Sequence, residues 1–395
     1  VRNEHAVASY WKGGFDEPAL QQWAAQTRAS LAAPTVTLGL VFMSPSLFPQ
    51  SRTILEILRV HGQIPLLLGC SSASLIAESR EIEDSSGLVL GLYHLPGAQL
   101  HACHFDQDEV EQAEDPDFWL NRTGVKSENC NGWLVFVDPF HIDCETWLNQ
   151  WNDAFPGVAI VGGLASGVLT QQATQVYLNG EVYETGGVAV AFSGGIGIHS
   201  VISQGCTPIG DTWTITKTEQ NLIHRIANRP AYEVLADTFN RMDAEDQQKS
   251  QGNLFIGLVI NEYLDEFHRG DFLIRNLLAA DPRSGILAVG ALPRQGQTMQ
   301  FQRRDAEAAT DDMRTLLQHS QEKLAHTTIY GGCLCCCNGR GYRLFGQPNH
   351  DAQCVHNFLG PIGLSGFFCN GEIGPVGNRN FLHGYTASLA LFVKK

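Results

Sequence analysis

One pattern, met three times, restricts what this chain can fold into more than anything else in it. The pattern is an apolar strand, a helical stretch, a second apolar strand and a turn of small residues. Val41-Phe42-Met43-Ser44-Pro45 leads through helical spacing at Ile54, Leu55, Ile57 and Leu58 to Ile64-Pro65-Leu66-Leu67-Leu68-Gly69-Cys70-Ser71-Ser72. Val135-Phe136-Val137-Asp138-Pro139 leads through Trp147, Leu148 and Trp151 to Val158-Ala159-Ile160-Val161-Gly162-Gly163-Leu164-Ala165-Ser166-Gly167. The third copy opens on a Cys-rich strand after Gly331, passes a glycine turn around Arg340 and a short helix, and closes on Phe367-Phe368-Cys369-Asn370-Gly371-Glu372. Strand-helix-strand units call for parallel strands and right-handed crossovers. Three of them predict duplicated building blocks whose turns converge. The irregular spacing, with a long insertion before the third copy, excludes a solenoid. The fold class expected is α/β or α+β, with mixed β-sheets and outer helices.

The third turn carries the chemistry. Glycines flanking Glu372 let the backbone come close to whatever that carboxylate faces, and the mouth of a buried strand is where pockets form. The plain alternative is a tight turn with a solvated Glu.

Charge and cysteine usage narrow the function. A net charge of −15 and the absence of a Lys/Arg cluster argue against nucleic acid and against anionic membrane surfaces. No apolar run reaches the roughly 18–20 residues that span a bilayer, and Val1-Arg2-Asn3-Glu4-His5 has no signal pattern. The eleven cysteines are odd in number and sit largely in apolar runs. That composition reads as a reduced, cytoplasmic protein whose cysteines pack as small hydrophobes.

Between the copies, residues 1–34 read as polar and helix-prone, with a helix start at Phe15-Asp16-Glu17-Pro18. Gly87–Tyr93 and Gln99–Phe105 read as an antiparallel pair joined at Leu95-Pro96-Gly97. Gly187–Phe192 and Ile196–Ser203 read as a pair across Ser193-Gly194-Gly195. Asn179-Gly180 marks a hairpin. Residues 204–210 read as a turn, 231–241 as a helix, 242–252 as a linker and 304–325 as the longest helix. The carboxylate run from Asp106 to Asp117 reads as a solvated face.

The cysteine cluster admits several chemistries. Cys333, Cys335, Cys336, Cys337 and Cys354 lie near His350 and His356 in sequence, and a thiolate beside a His is a possible nucleophile. No third, orienting group stands at a recognisable spacing. The cluster lacks the paired spacing of structural zinc. A redox sensor using an exposed member of the cluster is a further alternative. Ser193-Gly194-Gly195-Ile196-Gly197 lacks the Lys-Ser/Thr of a phosphate loop, and Ser166 is not in a Gly-x-Ser-x-Gly elbow. His199 and His383 read as core or pocket-lining. No catalytic residue, metal site or cofactor is expected.

The order of motifs resembles the FIST family, from about Val36 to the end. Gly69-Cys70-Ser71-Ser72, Gly162-Gly163-Leu164-Ala165, Gln204–Gly210 and Arg229–Leu235 resemble its N-terminal domain and junction. Phe272–Leu277, the Asp281–Gly296 hairpin and Gly366–Pro375 resemble its C-terminal domain. After the helix-prone extension over 1–34, the resemblance implies a FIST N-like domain over 35–228 and a FIST C-like domain over 229–395. In relatives the Cys70 turn often continues into Gly-Glu, whereas here it continues Ala73-Ser74-Leu75, so the N-terminal copy lacks the carboxylate that the C-terminal copy keeps at Glu372. The family also includes F-box proteins. The first 35 residues are too few for an F-box, so a stand-alone version is expected.

The resemblance implies a sensory, signal-transduction module that binds a small molecule such as an amino acid and acts on a downstream signalling protein. It supplies no catalytic residues. A zwitterion needs donors for its carboxylate and an acceptor for its ammonium. Arg275, Arg340 and the glycine-turn amides are candidates for the first role, and Glu372 and Asn370 for the second. Asn276, Gly371, Cys70, Ser71, Ser72 and Gly163 complete the expected ligand site. The structural alternative pairs Arg275 with Glu372 to brace the C-terminal domain. The alternative from another class is an interaction scaffold docking a partner on an apolar, Cys-rich surface.

Overall fold

A computed structural model describes residues 4–167, 170, 172–268 and 270–395. Val1, Arg2 and Asn3, part of the stretch read for a signal pattern, lie outside the described residues. The chain forms two compact units. The first comprises Val1–Ile202, Met313–Leu382 and Thr386–Lys395, and the second Ser203–Asp312 with His383–Tyr385.

The first unit is one repeat used three times. The first repeat runs β1 (Ala6–Lys12), α1 (Glu17–Ser30), β2 (Leu38–Met43), α2 (Ser51–His61), β3 (Leu67–Ser71), a small hairpin β4 (Leu75–Ala77) and β5 (Arg80–Ile82), then β6 (Gly87–Tyr93). The second runs β7 (Ala98–Phe105), α3 (Gln107–Gln112), α4 (Pro116–Thr123), β8 (Gly132–Val137), α5 (Cys144–Ala154) and β9 (Ile160–Leu164). It continues through hairpin β10 (Val176–Leu178) and β11 (Glu181–Tyr183) to β12 (Gly187–Gly194). The third starts with β13 (Ile196–Gln204) and is interrupted by the second unit.

That second unit holds β14 (Cys206–Glu219), β15 (Leu222–Ile226), β16 (Arg229–Pro230), α6 (Ala231–Asn240), α7 (Ala244–Ser250), β17 (Leu254–Val259), β18 (Phe272–Asp281), β19 (Ile286–Val289) and β20 (Thr298–Arg304). Its sheet closes on itself, because β14 pairs with both β20 and β15. The third repeat then resumes with α8 (Ala306–Lys323), β21 (Ile329–Cys337), α9 (Tyr342–Phe345), α10 (His350–Leu359), β22 (Leu364–Cys369), hairpin β23 (Glu372–Val376) and β24 (Arg379–His383), and β25 (Thr386–Lys394).

The three six-stranded sheets have matching orders: β1-β6-β2-β3-β10-β11, β7-β12-β8-β9-β23-β24 and β13-β25-β21-β22-β4-β5. Each repeat lends its hairpin to another repeat's sheet. The loans close in a ring: Leu75 pairs with Phe367, Glu372 with Gly163, and Val176 with Cys70. The expected parallel pairs are all present, as β2–β3, β8–β9 and β21–β22. Each places a glycine of the second strand opposite an apolar residue of the first: Gly69 on Val41, Gly162 on Val135 and Gly366 on Leu334. A Cβ on these glycines would stand 1.7, 1.9 and 2.0 Å from the facing carbonyl oxygen, so no side chain fits there. Where the three sheets meet, Phe42, Phe136 and Phe367 pack with ring centroids 4.8, 5.3 and 5.7 Å apart, in the range aromatic pairs prefer.

Several expectations need correction. The strands on either side of Leu95-Pro96-Gly97 do not pair with each other: β6 joins β1 and β2, and β7 joins β12. The strands on either side of Ser193-Gly194-Gly195 likewise part, β12 to β7 and β8, and β13 to β25. Both connections are boundaries between repeats. Residues 1–34 contain strand β1 before their helix, residues 206–210 open a long strand, and the 242–252 stretch contains α7. The hairpin at Asn179-Gly180 forms as expected, with Asn179 at φ 57°.

Candidate functional site

The turns that follow the three parallel pairs converge. The Ser72 and Ser166 hydroxyls lie 3.2 Å apart and reach the Phe368 carbonyl at 2.8 and 2.5 Å. Ser166 Oγ also accepts from Ala73 N at 3.1 Å. Asn370 Nδ2 donates to Ala165 O at 3.0 Å, and Asn338 Nδ2 donates to Asn370 Oδ1 at 2.8 Å. One turn from each repeat is thereby tied to the next. Parallel strands end here, where side chains and amides of open α/β sheets form ligand crevices.

A cavity of about 310 Å³ opens over this junction, lined by Ala73, Ser74, Ser166, Gly167, Asn338, Phe368 and Asn370 from the repeat ends. Its rim adds Glu83, Asp84 and Arg343. The Glu83 carboxylate accepts from Tyr342 N at 2.9 and 3.1 Å. Among the described residues, no hydrogen bond or ion pair engages Arg343 or Asp84. One cation therefore shares a small cavity with two carboxylates.

Below the cavity lies a buried polar layer. Arg340 is 1% exposed, and its guanidinium makes a two-pronged contact with Asp351, at 2.6 and 2.9 Å. His350 Nδ1 adds a 2.9 Å contact to Asp351. Burial alone would raise the Asp351 pKa, but the Arg340 charge and hydrogen bonds, with His350, hold it well below the carboxylate range. Glu81 Oε1 accepts from the first N–H groups of α10, Asp351 N at 2.8 Å and Ala352 N at 3.0 Å, where a helix favours negative charge. Burial, with the Asp351 charge, pushes the Glu81 carboxyl up to about 7. Glu372 is fully buried and accepts from Thr386 N at 3.0 Å and Cys369 Sγ at 3.2 Å. Burial pushes its carboxyl up to about 8, against those hydrogen bonds, the Arg340 charge and the Cys337 thiol.

The residues singled out in the sequence fall into three groups. Asn370 lines the cavity, and Ser71, Ser72, Gly163 and Gly371 build the turns around it. Cys70 is buried in the apolar core beside Phe42 and Phe367. Arg340 and Glu372 lie beneath the cavity, with the Arg340 fork engaged by Asp351. Arg275 and Asn276 belong to β18 of the second unit, where Asn276 accepts a hydrogen bond from the Tyr385 hydroxyl. Glu372 takes its hydrogen bonds within the first unit, from Thr386 and Cys369, rather than from Arg275. Cys333, Cys335 and Cys336 are buried, so the Cys-rich segment is core and not an apolar docking surface.

Sequence reasoning missed Glu83, Asp84, Asn338 and Arg343 as cavity residues. Asn338 had a signal, since it stands in the third copy where Pro45 and Pro139 stand in the others. Glu83, Asp84 and Arg343 had none, because they lie outside the repeated strands, Glu83 and Asp84 in a loop and Arg343 in the short helix α9. No group of three or more His, Cys, Asp or Glu among the described residues is placed to hold a metal ion. No helix among them is long and apolar enough to cross a membrane.

Fold and site define an α+β protein built of repeated strand-helix-strand units around a polar junction with a cavity. The FIST N domain model matches residues 37–229 and the FIST C domain model residues 231–375. The uncharacterized protein Rv0628c of Mycobacterium tuberculosis is 34% identical over 370 residues, which cover 94% of each chain. The uncharacterized protein Mb0898c of Mycobacterium bovis is similar to the same extent, 34% over 370 residues and 94% of each chain. The chain belongs to the FIST family, whose domains are signal-transduction sensory domains.

Proposed function

We propose that the cavity over the three converging turns is the sensing site and that it takes a small zwitterion, an amino acid or a close metabolite. The observation that carries this reading is the unengaged Arg343, which lines a cavity of about 310 Å³ together with Glu83 and Asp84. Arg343 receives the ligand carboxylate, for which a guanidinium fork is suited. Glu83 and Asp84 receive the ammonium. Asn338, Asn370 and the Ser166 hydroxyl supply the few fixed polar groups that orient a ligand in such a site. In this reading Arg340 and Glu372 act from below: the Arg340–Asp351 pair fixes α10, and Glu372 fixes the Asn370 turn. Arg275 and Asn276 have no part in binding at this cavity.

Ligand binding without chemistry, cytoplasmic residence and output through a downstream signalling protein belong to the same reading. Free cysteines support the cytoplasmic part, since all eleven are unpaired and such a composition suits a reducing compartment. The test is a thermal-shift screen against amino acids and related metabolites. A ligand that binds only the folded state stabilises it by about 2.7 kcal/mol at a hundredfold excess over its Kd. A dose-dependent rise confined to one class of zwitterions is the expected result. No rise across the panel overturns the reading.

A further inference from the structure

Two thiols share one carboxyl beneath the cavity. Cys337 and Cys369 are register partners at the ends of β21 and β22. Neighbouring strands lie about 4.8 Å apart, within the roughly 4.4–6.8 Å of Cα separation that a disulfide bridges. Cys369 Sγ donates to Glu372 Oε1 at 3.2 Å, and the Cys337 thiol hydrogen-bonds the same carboxyl. Ten of the eleven cysteines are buried, and Cys337 alone is half-buried. Each of the two is followed by a cavity-lining asparagine, Asn338 and Asn370, joined at 2.8 Å. Cys337 is therefore the more accessible of the two thiols, and Cys369 is its buried neighbour. Cys70, Cys333 and Cys335 share the apolar core cluster with Cys369, but Cys369 also hydrogen-bonds a carboxyl.

We propose that Cys337 and Cys369 form a redox-active dithiol in which Cys337 is attacked first, Cys369 resolves, and Glu372 relays the proton. The oxidant is a low-molecular-weight disulfide, RSSR. In the first step Glu372, in its ionised form, takes the Cys337 proton, and the Cys337 sulfur attacks one sulfur of RSSR. A Cys337–SR bond forms, the S–S bond of RSSR breaks, and the expelled RS⁻ takes the proton from Glu372 and leaves as RSH. In the second step Glu372 takes the Cys369 proton and the Cys369 sulfur attacks the Cys337 sulfur. The Cys337–Cys369 bond forms, the bond to SR breaks, and a second RSH leaves with the proton that Glu372 returns. Two protein thiols lose two electrons, and RSSR gains them. A carboxyl whose affinity for protons approaches that of a thiol suits this relay.

The inference does not depend on which ligand fills the cavity, so it stands or falls apart from the sensing site. The experiment treats the full chain with glutathione disulfide under native conditions and maps disulfides by mass spectrometry without reduction. In the unaltered protein the expected product is a Cys337–Cys369 disulfide with two glutathiones released. Cys369→Ser is expected to stop at a persistent Cys337–glutathione adduct, and Cys337→Ser to react at neither position. Glu372→Gln is expected to slow both formation of the adduct and its closure at least tenfold. A persistent adduct in the unaltered protein, a different cysteine pair, or no thiol loss from the folded chain would overturn the proposal. Should Cys369→Ser not fold, the disulfide map of the unaltered protein decides alone.

Discussion

The first and third repeats end their parallel strands in the same way and fill that place with different chemistry. In the first, β3 runs into Ser72-Ala73-Ser74-Leu75, and Leu75 pairs with Phe367. In the third, β22 runs into Cys369-Asn370-Gly371-Glu372, and Glu372 pairs with Gly163. Leu75 and Glu372 are equivalent, yet one is an ordinary core residue and the other a fully buried carboxyl. The core layout shows the same exchange. The first two repeats put Phe42 and Phe136 on their first strand opposite small residues, whereas the third puts Cys335 there and Phe367 on the second strand. The shared backbone needs only its glycines and apolar strands. The buried charges are extra to it: Arg340, Asp351 and Glu372 come from the third repeat, Glu81 from the first and Asp138 from the second.

The sharpest way to break this comparison is to remove a charge that only the third repeat has. Asp351→Ala leaves the Arg340 guanidinium buried without its partner, which costs about 3–5 kcal/mol. The denaturation midpoint should fall accordingly; a loss below about 1 kcal/mol would show that the pair does not brace this repeat. Next come the glycines that all three repeats share. Gly69→Ala, Gly162→Ala and Gly366→Ala each drive a Cβ into a strand carbonyl, and about 3 kcal/mol is expected at every one. One tolerated substitution among the three would break the equivalence of the repeats.

A smaller effect separates Glu372 from Leu75 by pH. The folded carboxyl titrates near 8, above its ordinary value of 4.5. Between those values the folded state holds a proton that the unfolded state has lost, so stability falls as pH rises through that window. Glu81, raised to about 7, adds a drop of the same sign that ends earlier. Glu372→Gln mimics the neutral acid. It should flatten the fall in stability between pH 5 and 8 by roughly 1–3 kcal/mol. An unchanged pH profile of the denaturation midpoint would remove Glu372 as its source.

The parallel pairs were legible because their signal is local: two apolar runs, helical spacing between them and a small-residue turn after them. Convergence of the turns followed from the repetition itself. The hairpin loans and repeat boundaries were not legible. Leu95-Pro96-Gly97 between two strand-like runs gives the same local signal whether the strands pair with each other or part, and here pairing with β2 and β12 decides. At the site, Glu372 stood out because glycines flank a charge at the end of an apolar strand. Its burial and two thiol partners depend on β25 and on the register of β21 with β22, which no local pattern encodes. Arg343, Glu83 and Asp84 meet only once the sheets close.

The cavity claim is tested most directly by calorimetric titration of a zwitterion that stabilises the protein into three proteins: unaltered, Arg343→Ala and Arg379→Ala. Arg379 lines a separate cavity with Asn152, Asp153 and Gly157 and serves as the control. The prediction is at least a tenfold loss of affinity, about 1.4 kcal/mol, for Arg343→Ala, with Arg379→Ala unchanged. Equal affinity for the unaltered and Arg343→Ala proteins would contradict the placement of the sensing site over the three turns.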